Sequence, residues 1–278
     1  MHPYLLKIGS FSIPTYGIFV AAGYLLGAFY IYKRNKLLNI SKEQLSDILL
    51  FVIIAALLGG KLFYVVIFWN DYGLNFFEKA LNALKDFRYG FVFYGGLIVA
   101  TVSSYFYLKK KKINFLSFAD IAAPGIVLGH AIGRIGCFFA GCCHGKPTDF
   151  ICAVKFNNPE SLVSPSLIGV PIHPTQLYSS AANFIIFIAL HFMLKASLKH
   201  NWKKGLIAAS YILTYSIARF TIEIFRGDER GNFIFAMSPS QVISLSGALI
   251  ALFFFYFAWK NKTKATRHIS TLRNLPVK

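Results

Sequence analysis

Residues 129–149, GHAIGRIGCFFAGCCHGKPTD, begin as apolar membrane-type sequence and end as a polar loop rich in cysteine. Arg134 lies inside the apolar half of this stretch. A guanidinium keeps its charge at any ordinary pH, and a charge near the middle of a bilayer is costly unless it faces a partner or water. The stretch therefore predicts a membrane-spanning helix that carries a charge for a structural or a functional reason.

The composition of the whole chain is that of an integral membrane protein. Of its 278 residues, 56% are hydrophobic, 17% aromatic and only 14% charged, and the mean hydropathy is +0.54. A soluble protein could not cover so much apolar surface with so little charge.

The net charge of +18 raises the alternative of a nucleic-acid partner. The basic residues, however, form short runs directly after apolar segments, where such runs set topology and bind anionic lipid head groups. We therefore expect membrane lipids around the chain and no nucleic-acid partner.

Seven apolar stretches have about the 20 residues that a helix needs to cross a bilayer. The first predicts a retained span, since no small-residue cleavage site follows it and the basic run KRNK does. Together the stretches predict an all-α integral membrane protein, a bundle of about seven transmembrane helices. They lie near residues 15–32, 45–68, 91–108, 116–140, 175–194, 205–225 and 241–259.

The basic residues between these stretches predict the orientation of the chain. Most of them fall in connections on one side of the membrane, and the positive-inside rule assigns that side to the cytoplasm. The amino terminus is then outside and the carboxyl terminus inside, with residues 1–260 forming the membrane domain and residues 261–278 a basic cytoplasmic tail. The basic runs are Lys33, Arg34, Lys36 and Lys42, then Lys109 to Lys112, then Lys195, Lys199, Lys203 and Lys204, and finally the tail from Lys260.

Two long connections, about 69–90 and 141–174, are predicted on the outer side and are rich enough in apolar residues to fold against the membrane surface. The segment FFEKALNALKDF (76–87) has apolar residues at helical spacing, which predicts an interfacial amphipathic helix. An ordinary surface helix between two spans explains the same spacing equally well. The apolar residues are Phe76, Phe77, Ala80, Leu84 and Phe87.

Arg134 is surrounded in sequence by Gly129, Gly133 and Gly136, which let another backbone or a ligand approach closely. Its guanidinium presents a fork of donors suited to phosphate. The alternative is a structural ion pair that joins two helices.

Arg219 and Glu223 stand four residues apart and so share one face of the sixth predicted span. Their spacing by itself favours a self-contained salt bridge. Arg134, Arg219 and Arg226 nevertheless outnumber Glu223 in the outer half of the membrane, which predicts that this region binds an anion. Acidic residues on the outer connections, including Asp86, Asp228 and Glu229, offset other basic residues there.

Two further charges lie inside or near predicted spans. Lys61 follows two glycines, and we expect it to have a structural role or to extend towards an interface. Asp120 lies near the cytoplasmic start of the fourth span, so we expect it to be an N-terminal charge of that helix or a partner for Lys61.

Cys137, Cys142, Cys143 and His144 lie within eight residues, and Cys152 follows. Packing or a disulfide is the favoured interpretation, because a cysteine-rich segment outside the cytoplasm meets an oxidising environment. A reactive thiol and a metal site are the alternatives, since thiolates and imidazoles are ligands for zinc. The spacing C-x4-C-C-H is not a known ligand pattern, so we expect no metal and no cofactor.

Six motifs resemble those of the prolipoprotein diacylglyceryl transferase family, seven-span enzymes of the bacterial inner membrane. The motifs keep the family's order along nearly the whole chain, and their combination is specific although each alone is weak. They are PTYGIFVAAGYLLG (14–27), LLGGKLFYVV (57–66), FVFYGGLI (91–98), GRIGCFFAG (133–141), HPTQLY (173–178) and RFTIEIFR (219–226).

The resemblance implies a reaction and a location. The family moves the diacylglyceryl group of phosphatidylglycerol onto the lipobox cysteine of a prolipoprotein signal peptide and releases glycerol phosphate. It implies a periplasmic amino terminus and phosphatidylglycerol and prolipoproteins as partners. Arg134 and Arg219 match the family's essential arginines and would clamp the phosphate, while Glu223 would orient an arginine or a polar substrate group. The implied substrate-binding residues are Arg134, Gly95, Gly96, Gly133, Gly136, Cys137, Gly141, Gly145, Tyr24, Tyr64, Tyr178 and Arg226.

Three positions depart from the family pattern. Tyr94 stands where the family has a histidine before two glycines, Cys137 replaces an asparagine and Cys142 replaces an acidic residue. A phenol with a pKa of about 10 is a poor base unless a cation lowers it. Either Tyr94 serves as the catalytic base and hydrogen-bond donor, or the chemistry differs, with His144 or His173 as substitutes.

These departures leave other functions open. A paralogue of the family could transfer a lipid group to a different acceptor. An anion or lipid transporter could use the same arginines for binding, but such proteins commonly contain repeated halves, and no internal repeat is visible in this sequence.

Overall fold

The computed structural model describes residues 2–8, 11–85, 90–228 and 237–273. These residues are mainly helical, and two short antiparallel strand pairs lie in the connections. Asp86, Phe87 and Glu229, and the side chains of the tail 261–278, lie outside the described part. The elements are β1 (Tyr4–Ile8), β2 (Phe11–Pro14), α1 (Thr15–Tyr32), α2 (Lys42–Ile67), α3 (Phe76–Lys85), α4 (Phe93–Lys110), α5 (Phe115–Ala140), β3 (Val154–Lys155), β4 (Pro171–Ile172), α6 (Thr175–His200), α7 (Leu206–Glu223) and α8 (Pro239–Arg273).

Each of the seven predicted spans coincides with a helix. Five helical segments are long and apolar enough to cross a membrane, namely α1, α2, α5, α6 and the part of α8 from Pro239 to Ala258. The other two predicted spans correspond to α4 and α7, which have 18 residues each and are not among these five. The class predicted from the sequence, an all-α multi-pass membrane protein, is therefore confirmed.

The chain divides into two units, one formed by Tyr32–Phe118 and the other by Met1–Ile31 together with Ala119–Lys278. Within the first of these, α2 packs closely on α4 through glycines. A Cβ on Gly96 would lie 2.7 Å from the carbonyl oxygen of Ala56, and one on Gly95 would lie 2.8 Å from that of Gly59. Gly95 and Gly96 thus allow two helix backbones to touch.

In the larger unit, α1 crosses α5 at a second glycine contact. A Cβ on Gly23 would lie 2.5 Å from the carbonyl oxygen of Gly129. Such close approach between helices is typical of membrane proteins, where small residues let backbones pack. This contact fixes the helix that carries Arg134.

Asp120 stabilises a helix other than its own. Its carboxylate accepts hydrogen bonds from the backbone N–H groups of Gly205, Ile207 and Ala208 at 2.6, 3.0 and 2.9 Å, at the amino terminus of α7. The first N–H groups of a helix lack partners within it, and a buried carboxylate satisfies both them and the helix dipole. Asp120 therefore acts at the amino terminus of α7 and not at that of its own helix, α5, where its sequence position had suggested it.

The predicted amphipathic helix forms as α3, which ends at Lys85. Phe76 and Phe77 are 77% and 80% exposed, and the side chains of Leu84 and Phe87 lie outside the described part. At the other end of the chain, α8 continues through the predicted domain boundary at residue 260 and ends at Arg273.

Candidate active site

Three helices of the larger unit line a small, partly open cavity. Arg134 on α5 and Arg219 on α7 both line it, so the structure brings together the two arginines singled out from the sequence. In this conformation the cavity has room for about one water molecule, so a phosphate group enters only when the lining side chains move. The lining residues are His130, Arg134, Ser179, Ala182, Asn183, Tyr215, Ala218, Arg219 and Ile222.

Arg219 is held by neighbours on α7 and α8. Its Nη2 lies 2.9 Å from Oε2 of Glu223, the ion pair expected from their spacing, and donates a hydrogen bond of 2.9 Å to Ser240. Glu223 also accepts a hydrogen bond from the hydroxyl of Ser238 at 2.9 Å. The other terminal nitrogen, Nη1, is buried and makes no hydrogen bond to the described residues. Glu223 therefore orients Arg219 and leaves Nη1 without a hydrogen-bond partner among the described residues.

Arg134 is oriented by a neutral side chain. Its Nε donates a hydrogen bond of 3.2 Å to Nε2 of His130, one turn earlier on α5. An imidazole nitrogen that accepts a hydrogen bond carries no proton, so the ring is neutral if its other nitrogen holds the single proton. Among the residues that the structure describes, no carboxylate pairs with Arg134. The structural ion-pair interpretation of Arg134 therefore finds no support in this part of the chain.

The charges around the cavity do not cancel. Two guanidiniums and one carboxylate leave an excess positive charge, and a partly dry site makes that charge favourable only when an anion is present. His130 was missing from the residues selected by sequence. Its position four residues before Arg134, on the same helix face, was the signal that could have found it.

The polar turn after α5 is fixed by the HPTQLY motif. Thr175 donates a hydrogen bond of 2.7 Å to the carbonyl of Cys143, and the Gln176 amide donates one of 2.7 Å to the carbonyl of Cys142. Both of these polar side chains are fully buried. Gly141 at φ +85° and Cys143 at φ +62° give the turn its left-handed conformation. The motif thus serves to hold the cysteine-rich turn in place.

The sulfur atoms of Cys137, Cys142 and Cys143 lie within 4.8 Å of one another. All four cysteines are free thiols, so the disulfide expected as one alternative is not formed, and Cys152 is exposed and stands apart from the three. Hydrogen bonds from the thiols of Cys137 and Cys142 lower the pKa of Cys143, and the positive charges of Arg226 and Arg134 lower it further. The same thiol contacts raise the pKa of Cys142.

Arg226 is paired more completely than its sequence position suggests. It forms a bidentate ion pair with Asp228, from Nε to Oδ1 at 2.8 Å and from Nη2 to Oδ2 at 2.7 Å. Its side chain is buried, and its backbone pairs with that of Gly145 across an antiparallel bridge. Arg226 therefore contributes less unpaired positive charge than was implied by counting three arginines against Glu223 in the sequence. A substrate-binding role for Arg226 stays a prediction.

The remaining predicted site residues fall into two groups. In the larger unit, the hydroxyl of Tyr178 lies 3.2 Å from Nδ1 of His173. Gly136 lets α5 approach α1 closely. Gly133 lies on α5 and Tyr24 on α1. Gly141, Gly145 and Cys137 belong to the turn and thiol cluster described above. In the other unit, the Tyr94 side chain is exposed and packs edge-on against Phe93, the ring of Tyr64 packs on that of Phe68, and Gly95 and Gly96 contact α2.

The fold and the cavity define a multi-pass α-helical membrane protein with a partly buried cationic site. The profile described as "Prolipoprotein diacylglyceryl transferase" matches residues 3–257. Proteins named phosphatidylglycerol–prolipoprotein diacylglyceryl transferase are similar over most of the chain. The one from Clostridium tetani is 36% identical over 256 residues, which cover 92% of this chain and 97% of that protein. Those from Clostridium botulinum strain Loch Maree and Finegoldia magna are 34% and 35% identical, covering 92% and 86% of this chain and 96% and 89% of their own. The chain belongs to the prolipoprotein diacylglyceryl transferase family.

Proposed function

We propose that this protein transfers the diacylglyceryl group of phosphatidylglycerol to the lipobox cysteine of prolipoprotein signal peptides. Family membership over residues 3–257 supports the transferase activity and the two substrates. The observation that carries the site assignment is the cavity lined by both Arg134 and Arg219, in which Arg134 has no carboxylate partner among the described residues.

The two arginines would act on the leaving group. In the reaction the acceptor sulfur forms a bond to the glycerol carbon, the bond from that carbon to the phosphate oxygen breaks, and glycerol phosphate leaves with the electron pair. Negative charge grows on the phosphate as the bond breaks. Donors already fixed in place stabilise such charge most, and one well-placed donor is worth roughly 3–4 kcal/mol. We propose that Arg134 and the available Nη1 of Arg219 supply these donors.

Glu223 and His130 position the two arginines in different ways. Glu223 pairs with Arg219 and removes its net charge, whereas the hydrogen bond from Arg134 to His130 leaves the charge of Arg134 in place. The site then carries a charge matched to one phosphate, since a second unpaired arginine would be costly in the absence of lipid.

The acceptor thiol has to lose its proton, because the thiolate is the nucleophile. We propose that Tyr94 takes this proton or donates a hydrogen bond at the acceptor. Replacement of Tyr94 by Phe should then slow transfer, and replacement of the adjacent Phe93 by Leu serves as its control. Equal rates for the Tyr94→Phe variant and the wild type would remove Tyr94 from the mechanism.

We further propose the topology that the family and the charge pattern imply. All seven helices cross the bacterial inner membrane, with the amino terminus in the periplasm and the carboxyl terminus in the cytoplasm. Residues 1–260 form the transferase domain, residues 261–278 form a basic cytoplasmic tail, and α3 lies in the periplasmic interface. The exposed apolar residues Phe76 and Phe77 support this position of α3. Tags accessible to a membrane-impermeant reagent at each terminus test the orientation.

A direct assay tests the activity. Purified protein incubated with phosphatidylglycerol and a lipobox peptide should yield a thioether-linked diacylglyceryl peptide, and the Arg134→Ala variant should yield none. Rescue of a bacterial strain depleted of its own transferase tests acceptor and chemistry together. Failure of both assays, under conditions in which a related enzyme works, would refute the proposal.

A further inference from the structure

The three thiols of Cys137, Cys142 and Cys143 form a cluster with the dimensions of a metal site. Zinc binds thiolates at about 2.3 Å, which places the sulfurs of a tetrahedral site about 3.8 Å apart. The observed sulfurs all lie within 4.8 Å of one another. Side-chain movements of about 1 Å at most would therefore bring all three to bonding distance of one ion.

The backbone that carries the thiols is fixed from outside the cluster. Thr175 and Gln176 hold the carbonyls of Cys143 and Cys142, and both are fully buried. The left-handed conformation of Cys143 forms part of a turn in which two adjacent cysteines direct their sulfurs to a common point. This turn accounts for how a C-x4-C-C sequence, unusual for a metal site, can supply three ligands.

The charges near the cluster suit a zinc thiolate. Zn²⁺ with three thiolates carries one net negative charge, and a further thiolate adds another. The guanidinium of Arg134 interacts electrostatically with the thiols of Cys143 and Cys137, and that of Arg226 interacts with Cys143. In the absence of lipid, Arg134 would compensate part of the negative charge in a partly buried place, where an uncompensated charge is costly. Arg226 contributes less, because it is paired with Asp228.

Three protein ligands are also what a reactive zinc site uses. Structural zinc sites have four protein ligands, whereas catalytic ones have three and leave the fourth position to water or substrate. The cluster contains three residues, and no further histidine, cysteine or carboxylate joins it among the described residues. The cluster also lies beside Arg134, which lines the cavity proposed for the phosphate.

We propose that Cys137, Cys142 and Cys143 bind one Zn²⁺ whose fourth position takes the cysteine thiolate of the acceptor peptide. The inference rests on the proposed function for its substrate. The acceptor thiol binds the ion in place of water and releases its proton to solvent, which leaves Tyr94 the second of its two proposed roles, that of hydrogen-bond donor. Its sulfur then forms the bond to the glycerol carbon, glycerol phosphate leaves with the electron pair, and the neutral thioether dissociates from the ion. No oxidant or reductant is needed.

Metal binding can be measured without reference to activity. Full-length protein purified in detergent with reductant should contain about one zinc per chain by elemental analysis. Replacement of the zinc by Co²⁺ should give a thiolate-to-metal charge-transfer band. The Cys143→Ser and Cys137→Ser variants should lose both signals, while Cys152→Ser, which alters an exposed thiol outside the cluster, should keep them. A wild-type protein that binds neither ion more tightly than the Cys143→Ser variant would overturn the site.

The open position is tested with two peptides. A lipobox peptide with cysteine should change the d–d absorption of the Co²⁺ protein, and the same peptide with serine should not. Identical spectra with both peptides would overturn the role assigned to the fourth position. Because serine variants could fold poorly, this measurement is made on the wild-type chain.

Activity separates the two proposals. Zinc removal by a chelator should abolish transfer, and added zinc should restore it. Product formation by a zinc-free wild-type protein would overturn the metal site while the proposed function stands. Stoichiometric zinc together with no transfer to any lipobox peptide would overturn the proposed function while the metal site stands.

Discussion

His130 offers a sharp test of how the cationic site works, because three substitutions separate its hydrogen bond from its charge. Gln retains an acceptor for Nε of Arg134, Ala removes it, and Glu supplies an acceptor that carries a negative charge. The structure gives one hydrogen bond of 3.2 Å to a charged donor. Such bonds are worth roughly 1.5–3 kcal/mol. At about 1.4 kcal/mol per factor of ten, the His130→Ala variant should lose about 10- to 100-fold in kcat/KM.

The Glu variant should be worse than the Ala variant although it keeps a hydrogen-bond acceptor. It cancels the charge of Arg134 and leaves the cavity without a net positive charge. Two unit charges 4 Å apart interact by about 4 kcal/mol at the effective dielectric constant of a protein surface. The expected loss of kcat/KM is therefore on the order of 10³-fold, and much of it should appear in KM for the lipid. His130→Gln should stay within about threefold of the wild type, since its hydrogen bond is kept.

The assay follows transfer from labelled phosphatidylglycerol to a lipobox peptide at several lipid concentrations in mixed micelles. His200→Ala, at the exposed end of α6, is the matched histidine control and should behave as the wild type. Thermal unfolding of each variant shows whether any loss comes from misfolding. Equal kcat/KM for the Gln and Glu variants would refute the idea that a neutral partner preserves the charge of Arg134.

Three further predictions concern stability and the second arginine, each measured by thermal unfolding in detergent. Glu223→Ala should destabilise the protein by roughly 3–5 kcal/mol because it leaves a buried guanidinium unpaired, and it should also abolish transfer. Asp120→Ala should lower the free energy of unfolding by at least about 2 kcal/mol, since three buried backbone donors of α7 lose their acceptor. Glu160→Ala removes a carboxylate from an exposed ion pair and is the control for both variants. It should leave the melting temperature nearly unchanged. Gly129→Ala should cost about 1–3 kcal/mol because its Cβ would lie 2.8 Å from a facing carbonyl oxygen, whereas Gly133→Ala meets no atom nearer than 4.0 Å. A melting temperature for Gly129→Ala equal to that of Gly133→Ala would contradict the helix crossing.

Local sequence patterns were sufficient for the class and for several details of the site. The apolar stretches predicted the helices, because transfer of each segment into a membrane depends on its own residues. The pairing of Arg219 with Glu223 followed from their four-residue spacing on one helix. His130 and Arg134 have the same spacing, so that contact was also within reach of the sequence. The ordered motifs supported the family, which the comparisons confirm.

The partners that lie far apart in sequence were decided only by tertiary structure. Asp120 bonds to N–H groups about 85 residues away, and its sequence position could not indicate which helix it would cap. The meeting of Arg134 with Arg219 depends on how α5, α6 and α7 pack, and the convergence of Cys137 with Cys142 and Cys143 depends on a turn held by α6. Small and polar residues indicate which face of a membrane helix packs on another helix, but they do not identify that helix, because packing and hydrogen bonds, and not the burial of apolar area, drive association in a membrane. The sequence therefore determined what this protein is made of and which family it belongs to, while the packing of its helices decided which charges and thiols act together.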